Sequence, residues 1–441
     1  MNLNPEFQRQ LQLEFSQARL VGVPLILMVI FALTYLIDEH HFADVTAQSA
    51  LGLFLLMVSF WGARQAVDSV LDEQRSHTWD TQRLSALDPW TMVCGKLLGS
   101  TLVVWYGCFI CLIVYGLAVK NTGNFFWVCG YAISSGLLVQ NLSLLLSLCA
   151  LRKGQINSNS IIIGLAILAA FTIGSWIMPL SEEIRPLQTA PDIDWYGFKI
   201  TERFLTLITV CLALFWCVVG NYRLMAQELR IRTLPWVWLS FALFLILYIG
   251  GFIPTNQFGD YFFTLAFSIS LTLSYFAVFT EHHEPMRIKR LFTYITQENW
   301  WRSAEELPLW CVTFVLAALV AIPLSFTHPL VAIPVLLTHP AEVEELDIYP
   351  LTILLLLLRD IGIFLFFNYG KNPQRAFSLT LLSLILLYGV FPSIFTAAKL
   401  KGMVVLFFPL ISDSTILSIF CMSLQSALIW YLLYKRWLES V

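Results

Sequence analysis

Charge is scarce in this sequence. Of 441 residues, 26 are Lys or Arg and 29 are Asp or Glu, 12% charged in all, against roughly 25% in an ordinary soluble protein. Hydrophobic residues make up 58%, and the mean hydropathy is +0.73. A soluble domain cannot hide that much apolar surface, because its outer face must still meet water. The net charge of -3 excludes the basic footprint of a nucleic-acid binder. Paired cysteines in hydrophilic segments are also missing. All nine fall in or beside apolar runs, so no structural disulfide is expected. Cys108 and Cys111, one helical turn apart, read as small packing residues. No secretory signal peptide is expected, since a polar-rich stretch precedes the first apolar run and no small-residue cleavage site follows it. A P-loop is missing too. The two Gly-Lys pairs, Gly95-Lys96 and Gly370-Lys371, have no Gly five residues before and no Ser or Thr after. The chain is therefore expected to be no enzyme and to bind no cofactor itself.

What the sequence does hold is long apolar runs. A membrane helix needs about 20 mostly apolar residues. Twelve runs fit: 20–37, 47–67, 97–119, 125–150, 160–180, 203–220, 235–254, 260–280, 307–325, 351–369, 377–396 and 414–434. The expected fold is all-α, a polytopic transmembrane helical bundle of about twelve spans. Lys and Arg set its orientation. With the N-terminus in the cytosol, inside segments hold 19 of the 26, outside segments hold 6, and Arg359 lies within a span. The outer loops are acidic instead, DEHH at 38–41 and AEVEELD at 341–347. Both termini are then cytosolic, and a bacterial inner membrane is the expected location.

The chain also repeats a rhythm. Residues 1–220 and 221–441 each open with a polar helical segment, NPEFQRQLQLEFSQARL at 4–20 and NYRLMAQELRIRTL at 221–234. Two spans follow in each half, then a long cytosolic segment (68–96 and 281–306), two more spans and a short basic hinge. Gln140-Asn141 precedes Arg152 as Arg359-Asp360 precedes Lys371, by twelve residues. Six spans per half make both halves start from the same side. A duplication is expected, with parallel repeats related by an axis along the membrane normal.

Between two of the runs, residues 72–99 read DEQRSHTWDTQRLSALDPWTMVCGKLLG. Asp72 and Glu73 suit a helix start, where the helix dipole favours negative charge. Asp88-Pro89 marks a break before the next helix. Arg75, His77, Trp79, Arg83 and Leu84 mix charge with apolar surface. Such a segment fits a groove on a soluble partner, with Trp79 or Leu84 as anchor. It equally fits a solvated loop with an interfacial tryptophan.

Glu73, Arg75, Thr78, Leu84, Pro89 and Gly95-Lys96-Leu97 together resemble the coupling region of type 2 ATP-binding-cassette (ABC) exporter permeases. The segment at 4–20 similarly resembles that family's amphipathic elbow helix. The resemblance covers the first six spans and reaches the rest only through the repeat. It implies a membrane domain whose two six-span halves are fused in one chain, with ATP bound and hydrolysed by a separate cytosolic ATPase, two copies per permease chain. It implies that Glu73, Arg75, Thr78, Trp79, Arg83 and Leu84 couple the two. Two departures stand out. The family usually has Gly before that Thr, where this chain has His77. Residues 281–306 keep the place of a coupling region but not its pattern.

Two other classes fit a polytopic chain. An ion-coupled twelve-span carrier needs ionisable groups deep in its bundle. The central candidates are Arg359 and Asp360, which as neighbours should point to different faces. A polytopic enzyme needs clustered acids, histidines or a metal set. His40-His41 and His282-His283 read as interfacial loops, so no metal site is expected. Gln140, Asn141, Arg359 and Asp360 are candidates for the substrate pathway or for interhelical packing. With few deep charges, the expected cargo is an amphipathic, lipid-like or drug-like molecule.

Overall fold

A computed structural model describes residues 4–38, 44–85, 87–119, 122–152, 192–281, 283–327, 350–400, 403–404, 407 and 415–440. Expected span 160–180, the acidic loop 341–347, His40-His41 and His282 lie outside the described residues.

The chain divides into two compact units, Met1–Ile193 with Lys199–Thr233, and Asp194–Phe198 with Leu234–Val441. In the first unit, α1 (Pro5–Glu14) precedes α2 (Gln17–Ile37). Asn4 caps α1, accepting from the backbone N–H groups of Glu6 and Phe7, and Pro5 takes the first helical position, where its missing N–H costs nothing. Helix α3 (Asp44–Leu56) passes through a π-helical segment at Met57–Gly62 into α4 (Ala63–Arg75). Then come a short α5 (Trp79–Arg83), α6 (Pro89–Ala118), α7 (Thr122–Arg152) and α8 (Glu202–Glu228). A two-stranded hairpin, β1 (Asp192–Trp195) and β2 (Phe198–Thr201), precedes α8.

Helices α2, α3, α6 and α7 close on a core of Leu27, Phe31, Leu51, Phe54, Val104, Tyr115 and Val128. Cys108 and Cys111 are fully buried there, as packing residues. A second core joins α4, α5, α6, α7 and α8 through Val70, Trp79, Met92, Leu144 and Met225. Most of α2 is not covered by protein: Leu25, Met28, Val29 and Leu33 lie on the surface. A helix apolar all round with so little protein cover is one that lipid solvates.

The second unit contains α9 (Trp236–Gly250), α10 (Phe258–Thr280), α11 (Pro285–Thr296), α12 (Trp300–Glu306), α13 (Leu309–Thr327) and α14 (Pro350–Asn368). Helix α15 (Ala376–Ile385) continues through a π-helical segment, Leu386–Val390, into α16 (Phe391–Ala397), and α17 is Thr415–Ser440. Ala277, Trp310, Leu357, Ile361, Phe364 and Leu433 form its main core. The packing order within the two units matches. In each, two pairs of spans pack closely: α3 with α6 and α7 with α8 in the first unit, α10 with α13 and α14 with α17 in the second.

The fold is all-α and polytopic. Among the described residues nine helices are long and apolar enough to cross a membrane, and Leu309–Ile322, bent by 100° from Trp300–Glu306, makes a tenth if that pair is one span. Trp236–Gly250 is apolar but shorter.

Two expectations are corrected. The polar segment at 221–234 is not a separate helix that opens the second half: its first part continues α8 to Glu228, with Asn221, Met225 and Ala226 buried. Asp72 and Glu73 do not start a helix; they occupy the last turn of α4. The apolar stripe of Ala66, Val67, Val70 and Leu71 carries the helix past them before it can end.

Candidate functional site

The segment that leaves α4 is shaped by one backbone turn. Ser76 caps α4, and His77 follows at φ 58°. Thr78 N–H donates to the Glu73 carbonyl at 2.9 Å, and His77 N–H donates to that of Gln74 at 3.2 Å. This is the Schellman arrangement, in which the left-handed residue is usually Gly because a Cβ is disfavoured there. His77 stands at that residue. The position where the resembled family has Gly is thus one that the turn itself requires. After α5, Asp88 caps α6, accepting from Thr91 N–H, with Pro89 at the first helical position, as the break predicts.

Inside this turn lies a buried ion cluster. Lys96, on α6, is fully buried. Its ammonium donates to the Glu73 carboxylate, to the Ser69 carbonyl at 3.1 Å and to Gln82 Oε1 at 3.0 Å. It also lies 3.2 Å from Glu6 Oε1 and 5.4 Å from the centre of the Trp79 ring. Arg9 binds Glu6 through Nε (2.9 Å) and Nη2 (2.8 Å) and also donates to Glu73. Gln10 Nε2 donates to both carboxylates. Burial pushes the Glu6 carboxyl up, but the Arg9 hydrogen bond, the Lys96 charge and Gln10 outweigh it and hold it below the ordinary carboxylate value. One lysine therefore ties together the elbow helix α1, the end of α4, the short α5 and the start of α6.

Glycine makes that junction possible. A Cβ on Gly95 would lie 2.6 Å from Glu6 Cβ and 2.8 Å from the backbone N of Phe7, and one on Gly99 would lie 2.5 Å from Gln10 Cβ. Asn4 Nδ2 adds a bond to the Thr91 carbonyl at 2.6 Å. The Gly-Lys pair read from the sequence is thus a docking surface followed by a buried cation.

The six residues expected to couple separate into two groups. Glu73 (7% exposed) and Trp79 (2%) face inward, which corrects their expected place on a partner surface. Glu73 is held in the ion cluster, and Trp79 packs under Lys96 in the second core. Arg83 donates through Nε to the Glu228 carbonyl at the end of α8, 3.0 Å, where a cation complements the helix dipole. Thr78 Oγ1 bonds the Glu73 carbonyl at 3.2 Å. Arg75 pairs with Asp72 at 3.0 Å at the surface. Leu84 is 88% exposed and stands with Ser76, His77, Asp80 and Thr81 on the outer face. Of the two expected anchors, Leu84 is the one the fold presents.

Residues 281–306 share the backbone plan without the sequence pattern. Helix α11 ends in the same turn, with Glu298 at φ 57° and Asn299 N–H bonded to the Tyr294 carbonyl. A short helix again starts on a tryptophan, Trp300. Here the ring is 70% exposed. Arg287 holds the segment, donating to Glu281 at 2.5 Å and to the Glu306 and Leu307 carbonyls at 3.0 and 3.1 Å.

The candidate pathway residues form one polar centre in each unit. In the first, Trp105 Nε1 donates to Gln140 Oε1 at 2.9 Å, and Asn221 Nδ2 donates to the Asn141 carbonyl at 2.9 Å. All lie within the bundle, and Gly62, which ends the π-helical segment, lets Gln140 approach. In the second, Arg359 donates to Asp360 Oδ1 through Nε (3.1 Å) and Nη2 (3.0 Å) and to Gln425 Oε1 (2.9 Å). Asp360 Oδ2 accepts from Tyr275 (2.9 Å) and Tyr388 (2.6 Å). Adjacent residues were expected on different faces; instead the long guanidinium folds back onto its neighbour. Arg359 is 1% exposed, so it does not face lipid. Sequence reading missed Glu6, Arg9, Gln10, Gln82, Asn221 and Tyr388. Asn221 and Tyr388 carried a signal as polar groups beside or within apolar runs, whereas Glu6, Arg9, Gln10 and Gln82 sit in polar segments, and no local spacing connects any of them.

A bundle with nine helices, among the described residues, long and apolar enough to cross a membrane defines the chain as an integral, multi-pass membrane protein. Residues 34–253 match the family described as ABC-2 family transporter protein. Over that region, about half of the chain, it belongs to the ABC-2 family and is a type 2 ABC permease. The match takes in the turn at 76–85 and the first polar centre; α1 and nearly all of the second unit lie beyond it. The chain matches no curated protein and no solved structure.

Proposed function

We propose that this chain is the permease subunit of an ABC exporter in a bacterial inner membrane. It moves an amphipathic, lipid-like or drug-like molecule, driven by ATP hydrolysed on two copies of a separate cytosolic ATPase. The observation that carries the reading is the turn at 76–85. It exposes Leu84, Asp80 and Thr81 outward, while Lys96 fastens its inner side to three helices and Arg83 fastens it to a fourth. A push on α5 is thereby transmitted to the membrane helices and the elbow. An ion-coupled carrier gains no support from the deep charges. All four acceptor positions of Asp360 are taken by Arg359, Tyr275 and Tyr388, which leaves none for a transported ion.

The test is copurification of the chain with a Walker-motif ATPase and assay of the reconstituted pair. Leu84→Asp should abolish permease-dependent ATP hydrolysis and leave the chain folded and inserted. Hydrolysis that is unchanged by Leu84→Asp, or ATP turnover by this chain alone, refutes the reading.

A further inference from the structure

A cavity of about 740 Å³ opens between the elbow helix α1 and α4. Trp61 of the π-helical segment and Arg64, Asp68 and Asp72 of α4 line one side of it, and the other side carries Leu13, Glu14 and Arg19. From Trp61 to Asp72 this wall is about 17 Å long at 1.5 Å per residue. The cavity lies where the apolar part of Asp44–Arg75 gives way to its polar end, and beside the first turn of α2. By length and composition those are the polar ends of two candidate spans.

Two guanidinium groups face this space with donors to spare. Arg64 spends only Nε, on Asp68 at 3.2 Å. Arg19 spends only Nη1, on the Glu14 carboxylate and carbonyl. Their other N–H groups have no partner among the described residues. A planar fork of this kind matches the oxygens of a phosphate. Arg9, the third guanidinium of the lining, is consumed by Glu6 and Glu73. Four carboxylates (Glu14, Asp68, Asp72 and Glu73) stand against these three cations, and Lys96 and Arg75 compensate Glu73 and Asp72 from outside the lining, so the site carries both signs in near balance. The lining is thus unsuited to a polyanion and suited to a headgroup that carries its own cation. Trp61 and Leu13 give the site an apolar flank for glycerol and upper acyl chain, where tryptophan favours the interface.

We propose that this cavity is a binding site for a zwitterionic phospholipid whose headgroup has a primary ammonium, as in phosphatidylethanolamine. The phosphodiester sits on Arg19 and Arg64, and the ammonium donates to the carboxylates along α4. A quaternary headgroup lacks those donors, and an anionic glycerol headgroup lacks the charge. The cavity borders the turn described above, sharing Glu73, Ser76 and Thr78 with it, but the guanidinium groups proposed to bind lipid, Arg19 and Arg64, have no part in the coupling role.

The test is native mass spectrometry of the full-length chain released from micelles containing equal amounts of phosphatidylethanolamine, phosphatidylcholine and phosphatidylglycerol. One phosphatidylethanolamine should be retained in preference, with retention about tenfold lower in the Arg19→Gln/Arg64→Gln double variant. In the wild-type chain, a photoreactive phosphatidylethanolamine should cross-link to peptides within 9–19 or 61–72, a readout that does not depend on the variant folding. Equal retention of the three lipids, preference for phosphatidylglycerol, or cross-links that avoid both peptides overturns the proposal. So does thermal stabilisation by inorganic phosphate equal to that by the lipid, which would assign the site to free phosphate.

Discussion

Replacing Lys96 by Met should unlock the junction between α1, α4, α5 and α6. The substitution keeps an unbranched apolar stem and removes only the ammonium. What remains is two buried carboxylates, Glu6 and Glu73, facing the single charge of Arg9, while the Ser69 carbonyl and Gln82 Oε1 lose a donor. Side-chain exposure of 0% for Lys96, 3% for Glu6 and 9% for Glu73 leaves little solvent to screen the imbalance. Removing one partner of such a buried pair costs about 3–5 kcal/mol. Glu73→Gln alone leaves two cations on one carboxylate and should cost a similar amount. The double variant restores balance, one Glu6 with one Arg9, so its cost should fall short of the sum by about 2–3 kcal/mol. SDS titration of the purified full-length chain in bicelles gives the four corners of this cycle. A Lys96→Met variant within about 0.5 kcal/mol of wild type, or strict additivity of the two substitutions, would show that the cluster is not a coupled charge lock.

Four further outcomes are expected. His77→Gly should stabilise the chain by about 0.5–1 kcal/mol in the same titration, since the left-handed conformation costs a side chain roughly 1–2 kcal/mol and the added glycine entropy returns part of it; a loss of stability would contradict the assignment of the turn. Arg359→Met should cost about 3–5 kcal/mol by leaving the Asp360 charge unpaired in the bundle, and an unchanged midpoint would remove the pair from the packing framework. Because the folded Glu6 carboxyl lies below its ordinary value, its contribution is complete above that ordinary value and is lost as the pH falls through the lower folded one; limited proteolysis at Phe15-Ser16 should therefore show α1 released only below the ordinary carboxylate range, and release at higher pH would contradict the placement. Single substitutions across 281–306 should disturb ATPase coupling less than those across 72–88, as read by hydrolysis in the reconstituted complex, and an equal effect would assign the two segments equal roles.

Much of this protein was legible in its sequence. Membrane class, all-α fold and most spans follow from local quantities: an apolar run long enough to cross a bilayer must be a helix, because lipid offers its backbone no hydrogen-bond partner. Asp88-Pro89 was readable for the same reason, since cap and ring geometry are decided within a few residues. The unusual His77 was visible as a departure, though its meaning was not, because the left-handed turn depends on bonds back to Glu73 and Gln74. Tertiary structure alone decided which side of the coupling segment faces outward. Nothing in the order Trp79, Arg83, Leu84 says that the tryptophan lies beneath a lysine from the next span and that the leucine is left bare. It also decided that Lys96 meets Glu6 across 90 residues of chain and that α8 runs past the expected span end at 220 to Glu228. Burial and charge pairing are sums over partners distant in sequence, and a single local window contains only one member of each pair.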